Sequence, residues 1–114
     1  MDDCLFCKII RREAPATILF QDDQLTAFRD LYPAGPTHIL IVPNKHIESV
    51  NEIAAEDEGL VGRLFSVARE LAAQEGISGS GYRMITNTGA DAGQAVFHLH
   101  FHLIGGQKLK YPMG

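Results

Sequence analysis

Residues 97–103 read Phe97-His98-Leu99-His100-Phe101-His102-Leu103, histidine and large apolar residues in strict alternation. A period of two is that of a β-strand, whose successive side chains point to opposite faces. The pattern predicts a strand that packs Phe97, Leu99, Phe101 and Leu103 against a core and aligns His98, His100 and His102 on the other side. Imidazole, with an unperturbed pKa of about 6.5, serves near neutrality as nucleophile, base, acid or metal ligand. Three on one ridge therefore mark a chemical site.

Outward from that ridge the sequence predicts an α+β chain. Residues 88–94, with Gly89 and Gly93, form a loop, and residues 82–87 alternate as another strand after the Gly79-Ser80-Gly81 turn. Over residues 56–75, Leu60, Val61, Leu64, Phe65, Ala68, Leu71 and Ala72 recur at helical spacing, with acids in the first turn and Gly76 at the end. Residues 37–43 are an apolar strand that follows a breaker with Pro33, Gly35 and Pro36. Residues 16–21 and 24–30 pair across Asp22-Asp23 as a hairpin. A short helix over residues 4–12, capped by Asp2 or Asp3, turns Leu5, Ile9 and Phe6 inward. The expected architecture is one domain spanning residues 1–114, a mostly antiparallel five-stranded sheet covered on one face, with one long and one short helix.

Composition narrows the function. A net charge of −4, with no basic stripe beyond clusters such as Lys8, Arg11 and Arg12, argues against nucleic-acid binding, so an anionic substrate must be held locally. No long apolar run offers a membrane span, and the acidic start Met1-Asp2-Asp3 is unlike a basic leader, so a cytoplasmic protein is expected. Cys4 and Cys7, the only cysteines, suit a metal or redox pair better than a disulfide framework. The histidine ridge itself permits two chemistries. A strand imidazole whose Nδ1–H is held by a carbonyl presents Nε2 to phosphorus as a nucleophile, with neighbouring histidines and loop N–H groups around the phosphoryl oxygens. Three imidazoles can also hold a hydrolytic zinc with an open position.

The flanking residues add a resemblance. Gly93-Gln94-Ala95-Val96-Phe97 before the ridge, the stretch from Pro36 and His38 to Lys45-His46, and Lys8-Ile9-Ile10, Ala27-Phe28-Arg29-Asp30, Gly81-Tyr82-Arg83 and Gly105-Gly106 resemble the histidine-triad (HIT) family, closest to its Hint branch of nucleoside phosphoramidases. The resemblance implies hydrolysis of the P–N bond of purine nucleoside 5′-phosphoramidates through a nucleotidyl-histidine. His100 is then the nucleophile, His102 and Asn87 meet the phosphate, and His38 supports the triad. Asp30 would bind the ribose, while Phe6, Ile9, Phe28 and Leu31 wall the purine and the Gly93-Gln94-Ala95 loop faces the phosphate. Where several relatives carry a polar residue, this chain has Ala95, which leaves only backbone N–H donation there. By the same resemblance Cys4, Cys7, His46 and His98 hold a structural zinc, no cofactor is needed for catalysis, and the chain forms a homodimer in which Tyr111 reaches the neighbouring site. Buried free thiols or a redox pair are the other readings of the cysteines. The rival functions are a dinucleoside polyphosphate hydrolase or nucleotidyl transferase, and a zinc-stabilised nucleotide-binding interaction module.

Overall fold

A computed structural model describes residues 4–110. Its elements are α1 (Leu5–Ile10), β1 (Ile18–Gln21), β2 (Leu25–Arg29), β3 (Thr37–Pro43), α2 (Glu58–Gln74), β4 (Tyr82–Ile85) and β5 (Phe101–Gly105), with short 3₁₀ turns before α2 and in the loop after β4. The strands form one antiparallel sheet in the order β1-β2-β3-β5-β4.

Alternation sorts the sheet into two faces. Leu25, Ala27, Ile39, Ile41, Phe101 and Leu103 point to one side and meet Leu64, Val67, Ala68 and Leu71 of α2 in the main core. That helix stops because Gly76 takes a positive φ of 74° and its N–H, with that of Ile77, returns to the carbonyls of Ala73 and Ala72. The opposite side of β2 and β3 presents Phe28, Leu40 and Val42, which pack against Phe6 and Ile9 of α1 in a second cluster. Thus α1 covers part of the face that the sequence reading leaves open.

Register places the histidines. Leu40 lies opposite His102 and His38 opposite Ile104, so His38 and His102 are diagonal neighbours on the α1 side of the sheet. The alternation of Leu99, Phe101 and Leu103 into the core holds as expected, but the regular ladder begins only at Phe101. β4 stops at Ile85, opposite His102, so on that side pairing ends there, and on the other side β3 pairs only as far as Phe101. Phe97 accordingly lies outside the sheet and is 54% exposed rather than packed. Two other apolar residues are likewise displaced outward. Leu5 sits in the first turn of α1 between two cavities, and Phe65 lies one residue off the buried stripe of α2, edge-on to Phe101 at 5.4 Å. The described cap of α1 is Cys4, whose Sγ accepts from the Cys7 N–H; Asp2, Asp3 and Tyr111 lie outside the described residues.

Candidate active site

A cavity of about 460 Å³ opens between α1, the α1 face of the sheet and the loop after β4. Phe6, Ile9, Phe28, Asp30, Leu31, Asn87, Gly93, Ala95, His100 and His102 all line it. Its walls are chiefly apolar at the α1 end, where Phe6 meets Phe28 edge-on at 5.4 Å, and polar at the histidine end. Leu31 stands at the mouth, largely exposed. Asp30 has divided duties: one carboxylate oxygen accepts from the Tyr32 N–H at 2.8 Å, while the other lies 3.4 Å from His38 Nε2. Leu40 and Val96 also line the cavity and escaped the sequence reading. Leu40 was available from strand parity, since it shares a face with His38.

Hydrogen bonds assign the ring protons. His100 Nδ1 lies 2.7 Å from the His98 carbonyl, which only accepts, so Nδ1 carries the proton and Nε2 keeps its lone pair on a ring that lines the cavity. The His100 carbonyl in turn accepts from the Thr86 hydroxyl at 2.8 Å, replacing ladder pairing where β4 has ended. His38 Nδ1 accepts the Ala34 N–H at 2.9 Å, which puts the His38 proton on Nε2. That proton is donated to His102 Nδ1 at 2.8 Å, leaving His102 with an Nε2–H as donor. His38 therefore stands behind His102 rather than in the cavity wall. Burial pushes the His38 pKa down, against the pull of Asp30, and lowers that of His102 to about 4, with repulsion from His100 and His38 adding to the shift.

Gln94 is also behind the wall. Its amide accepts from the Gly89 N–H at 2.9 Å and donates to the Glu48 and Val96 carbonyls at 2.8 and 3.1 Å. The glutamine thus shapes the loop that offers Gly93 and Ala95 to the cavity.

His98 faces elsewhere. Its Nε2–H donates to the Pro43 carbonyl at 2.7 Å, so Nδ1 has a free lone pair, aimed at Cys4 Sγ (3.3 Å) and Cys7 Sγ (3.6 Å). His46 Nδ1 lies 3.3 Å from Cys7 Sγ, and the four donor atoms lie within 4.8 Å of one another. Ordinary zinc–sulfur and zinc–nitrogen bond lengths around a tetrahedral ion separate S and N by about 3.6 Å, close to these three separations, so the donor set fits zinc. The carbonyl partner of His98 is the outer contact that orients a metal-binding imidazole. Burial raises the Cys7 thiol to about 11, reinforced by Cys4; a bound cation would reverse that. Because His98 turns to the sulfurs and His100 to a carbonyl, the three ridge histidines do not converge on one ion.

Comparison with known proteins shows the family. The HIT domain family model matches residues 11–109. A protein of Escherichia coli named purine nucleoside phosphoramidase is 53% identical over 108 residues, covering 95% of this chain and 91% of its own length. A HIT family hydrolase from Legionella pneumophila superposes with a TM-score of 0.95 at 45% identity, covering 98% of this chain and all of its own. A histidine triad protein from Clostridium difficile gives 0.94 at 41% identity, covering 97% and 96%. The chain belongs to the HIT family.

Proposed function

We propose that this protein hydrolyses the P–N bond of purine nucleoside 5′-phosphoramidates, with His100 as nucleophile. The observation that carries the reading is the His100 ring, anchored through Nδ1–H with its Nε2 lone pair at the cavity, beside a His102 donor whose proton is fixed by His38 and Ala34. The activity given in the name of the Escherichia coli relative supports it.

In the first step His100 Nε2 forms a bond to the α-phosphorus, the P–N bond breaks, and the amine leaves with a proton drawn from water in the site. The His98 carbonyl stabilises the positive charge that develops on the ring. The hydroxide left by that proton transfer then attacks the phosphorus, the His100–P bond breaks with its electron pair returning to Nε2, and the nucleoside monophosphate departs from a neutral His100. The His102 Nε2–H, Asn87 and the Gly93–Ala95 backbone meet the phosphoryl charge, while Phe6, Ile9, Phe28 and Leu31 hold the base and Asp30 the ribose. These donors serve without a catalytic metal, so turnover should survive chelation. Adenosine phosphoramidate bearing a fluorogenic amine is the test substrate, with a dinucleoside polyphosphate as competitor for the role. The native protein is expected to favour the phosphoramidate, and His100→Ala to lose about a thousandfold or more in kcat while still binding adenosine monophosphate. Full activity in that variant, or preference for the polyphosphate, would overturn the reading.

A second reading draws on Ala95, which lends no side-chain donor to the phosphate: a nucleotide-binding module with incidental turnover. Tight nucleotide binding with turnover at background would favour it.

The proposal extends to the assembly. The whole chain acts as one domain, Cys4, Cys7, His46 and His98 hold a structural zinc, and two chains pair with Tyr111 reaching the neighbouring site. The donor geometry supports the metal, and the outer edge of β4, which pairs with no further strand among the described residues, supports pairing. Native mass spectrometry should find a dimer with one zinc per chain; a metal-free monomer would contradict both. A cytoplasmic setting, where free thiols persist, suits this ligand set. Among the described residues no helix is long and apolar enough to cross a membrane.

A further inference from the structure

We propose that Cys4 and Cys7 are positioning residues for the nucleoside cavity: zinc held by them with His46 and His98 sets α1 and the His98 main chain, so that metal and nucleotide strengthen each other's binding. The inference rests on the zinc reading above and goes beyond a merely stabilising metal.

Three observations join the two sites. First, α1 is only six residues long, shorter than a helix that holds by itself in water, and its N-terminal cap is a thiol in place of the usual oxygen. Both cysteines point to the His46–His98 pair, while Phe6 and Ile9 of the same helix form the apolar wall of the cavity. At the far end of the helix the Gln21 amide donates to the Ile10 carbonyl and accepts from Arg12. Second, the Phe6 ring lies edge-on to both His98 (centroids 6.0 Å apart) and His100 (5.0 Å). A shift of α1 therefore moves the surface against which the His100 ring rests. Third, His98 belongs to both sites. Its ring faces the two sulfurs, and its carbonyl accepts the His100 Nδ1–H at 2.7 Å.

Cys4 and His46 also line an open cavity of about 440 Å³ that adjoins the nucleoside cavity and shares Leu5, Ala95 and Val96 with it. Without the ion, α1 keeps its apolar packing but loses the cross-link at its first turn. The cavity wall then samples more positions, and the nucleotide must order it on binding. Linkage requires the converse: a bound nucleotide that orders α1 tightens the metal by the same factor.

The test is calorimetric binding of adenosine monophosphate to the native protein, stripped by chelator and then reloaded with one zinc per chain, beside chelator competition for the zinc with and without the nucleotide. Loading is expected to tighten nucleotide binding by about five- to tenfold, with an equal factor in zinc affinity. A Cys4→Ser, Cys7→Ser variant should bind the nucleotide like the stripped protein whether or not zinc is added. Zinc bound at one per chain with unchanged nucleotide affinity would overturn the linkage and leave the structural metal standing. A zinc effect that persists in the variant would overturn it by locating the effect elsewhere, and failure to take up zinc would overturn the metal reading and the linkage together.

Discussion

A backbone N–H can only donate, and that single fact sets the protonation of His38 and His102. With the Ala34 N–H filling His38 Nδ1, neither ring can gain a proton without breaking the Ala34–His38–His102 chain. The lowered pKa of both, caused first by burial, agrees with this. Neutral His102 then keeps an Nε2–H, the donor that the proposed mechanism sets against the phosphate. The consequence for stability has a definite sign. Unfolded histidines take up protons below about pH 6.5, whereas the folded His102 ring resists until about pH 4. Its contribution is therefore present at neutral pH and lost as pH falls through that window. Urea unfolding should lose about 1–2 kcal/mol on this account between about pH 7 and pH 5. His102→Gln, which can still accept from His38, should flatten part of the dependence; an unchanged pH profile would show that the ring is not held neutral.

At the scale of elements, the loop between β4 and β5 makes the site. β4 ends at Ile85, Thr86 takes over the pairing of the His100 carbonyl, and Gln94 gathers Gly89, Glu48 and Val96 around one buried amide. Gln94→Ala removes three hydrogen bonds and leaves buried groups unpaired, at a cost of about 2–3 kcal/mol. It should also raise KM, because Gly93 and Ala95 lose their brace; an unchanged KM and melting temperature would show that the loop holds its shape by other means. The strand over residues 37–43 is legible because it is buried on both faces and so reads as a continuous apolar run. The histidine ridge is legible from its alternation, which holds from Leu99 onward. What the pattern could not show is where pairing starts. Phe97 has the right period but no partner strand, and Leu5 and Phe65 are apolar at positions where only the path of a helix over its neighbours decides burial. The cap at Cys4 was hidden because a thiol is a poor predictor of a helix start.

For the whole molecule, the division of labour follows the two faces of the sheet. The α2 side holds the core, and the α1 side holds the cavity and the cysteine–histidine centre. One short segment, His98 to His102, touches all three: Leu99 and Phe101 enter the core, His98 turns to the sulfurs, and His100 and His102 line the cavity. The Pro43 carbonyl on His98 and the His102 ring on His38 come from distant chain positions, which is why tautomers were invisible in the sequence while the residues themselves were not. The central claim is that His100 becomes covalently attached to the phosphorus. Rapid quenching of a single turnover of an adenosine phosphoramidate, followed by intact and peptide mass measurement, tests it most directly. The account predicts a transient gain of one adenylate, carried on His100 and formed no later than the amine is released. Product formation with no adduct at any time, or an adduct on His102 or His38, would contradict it.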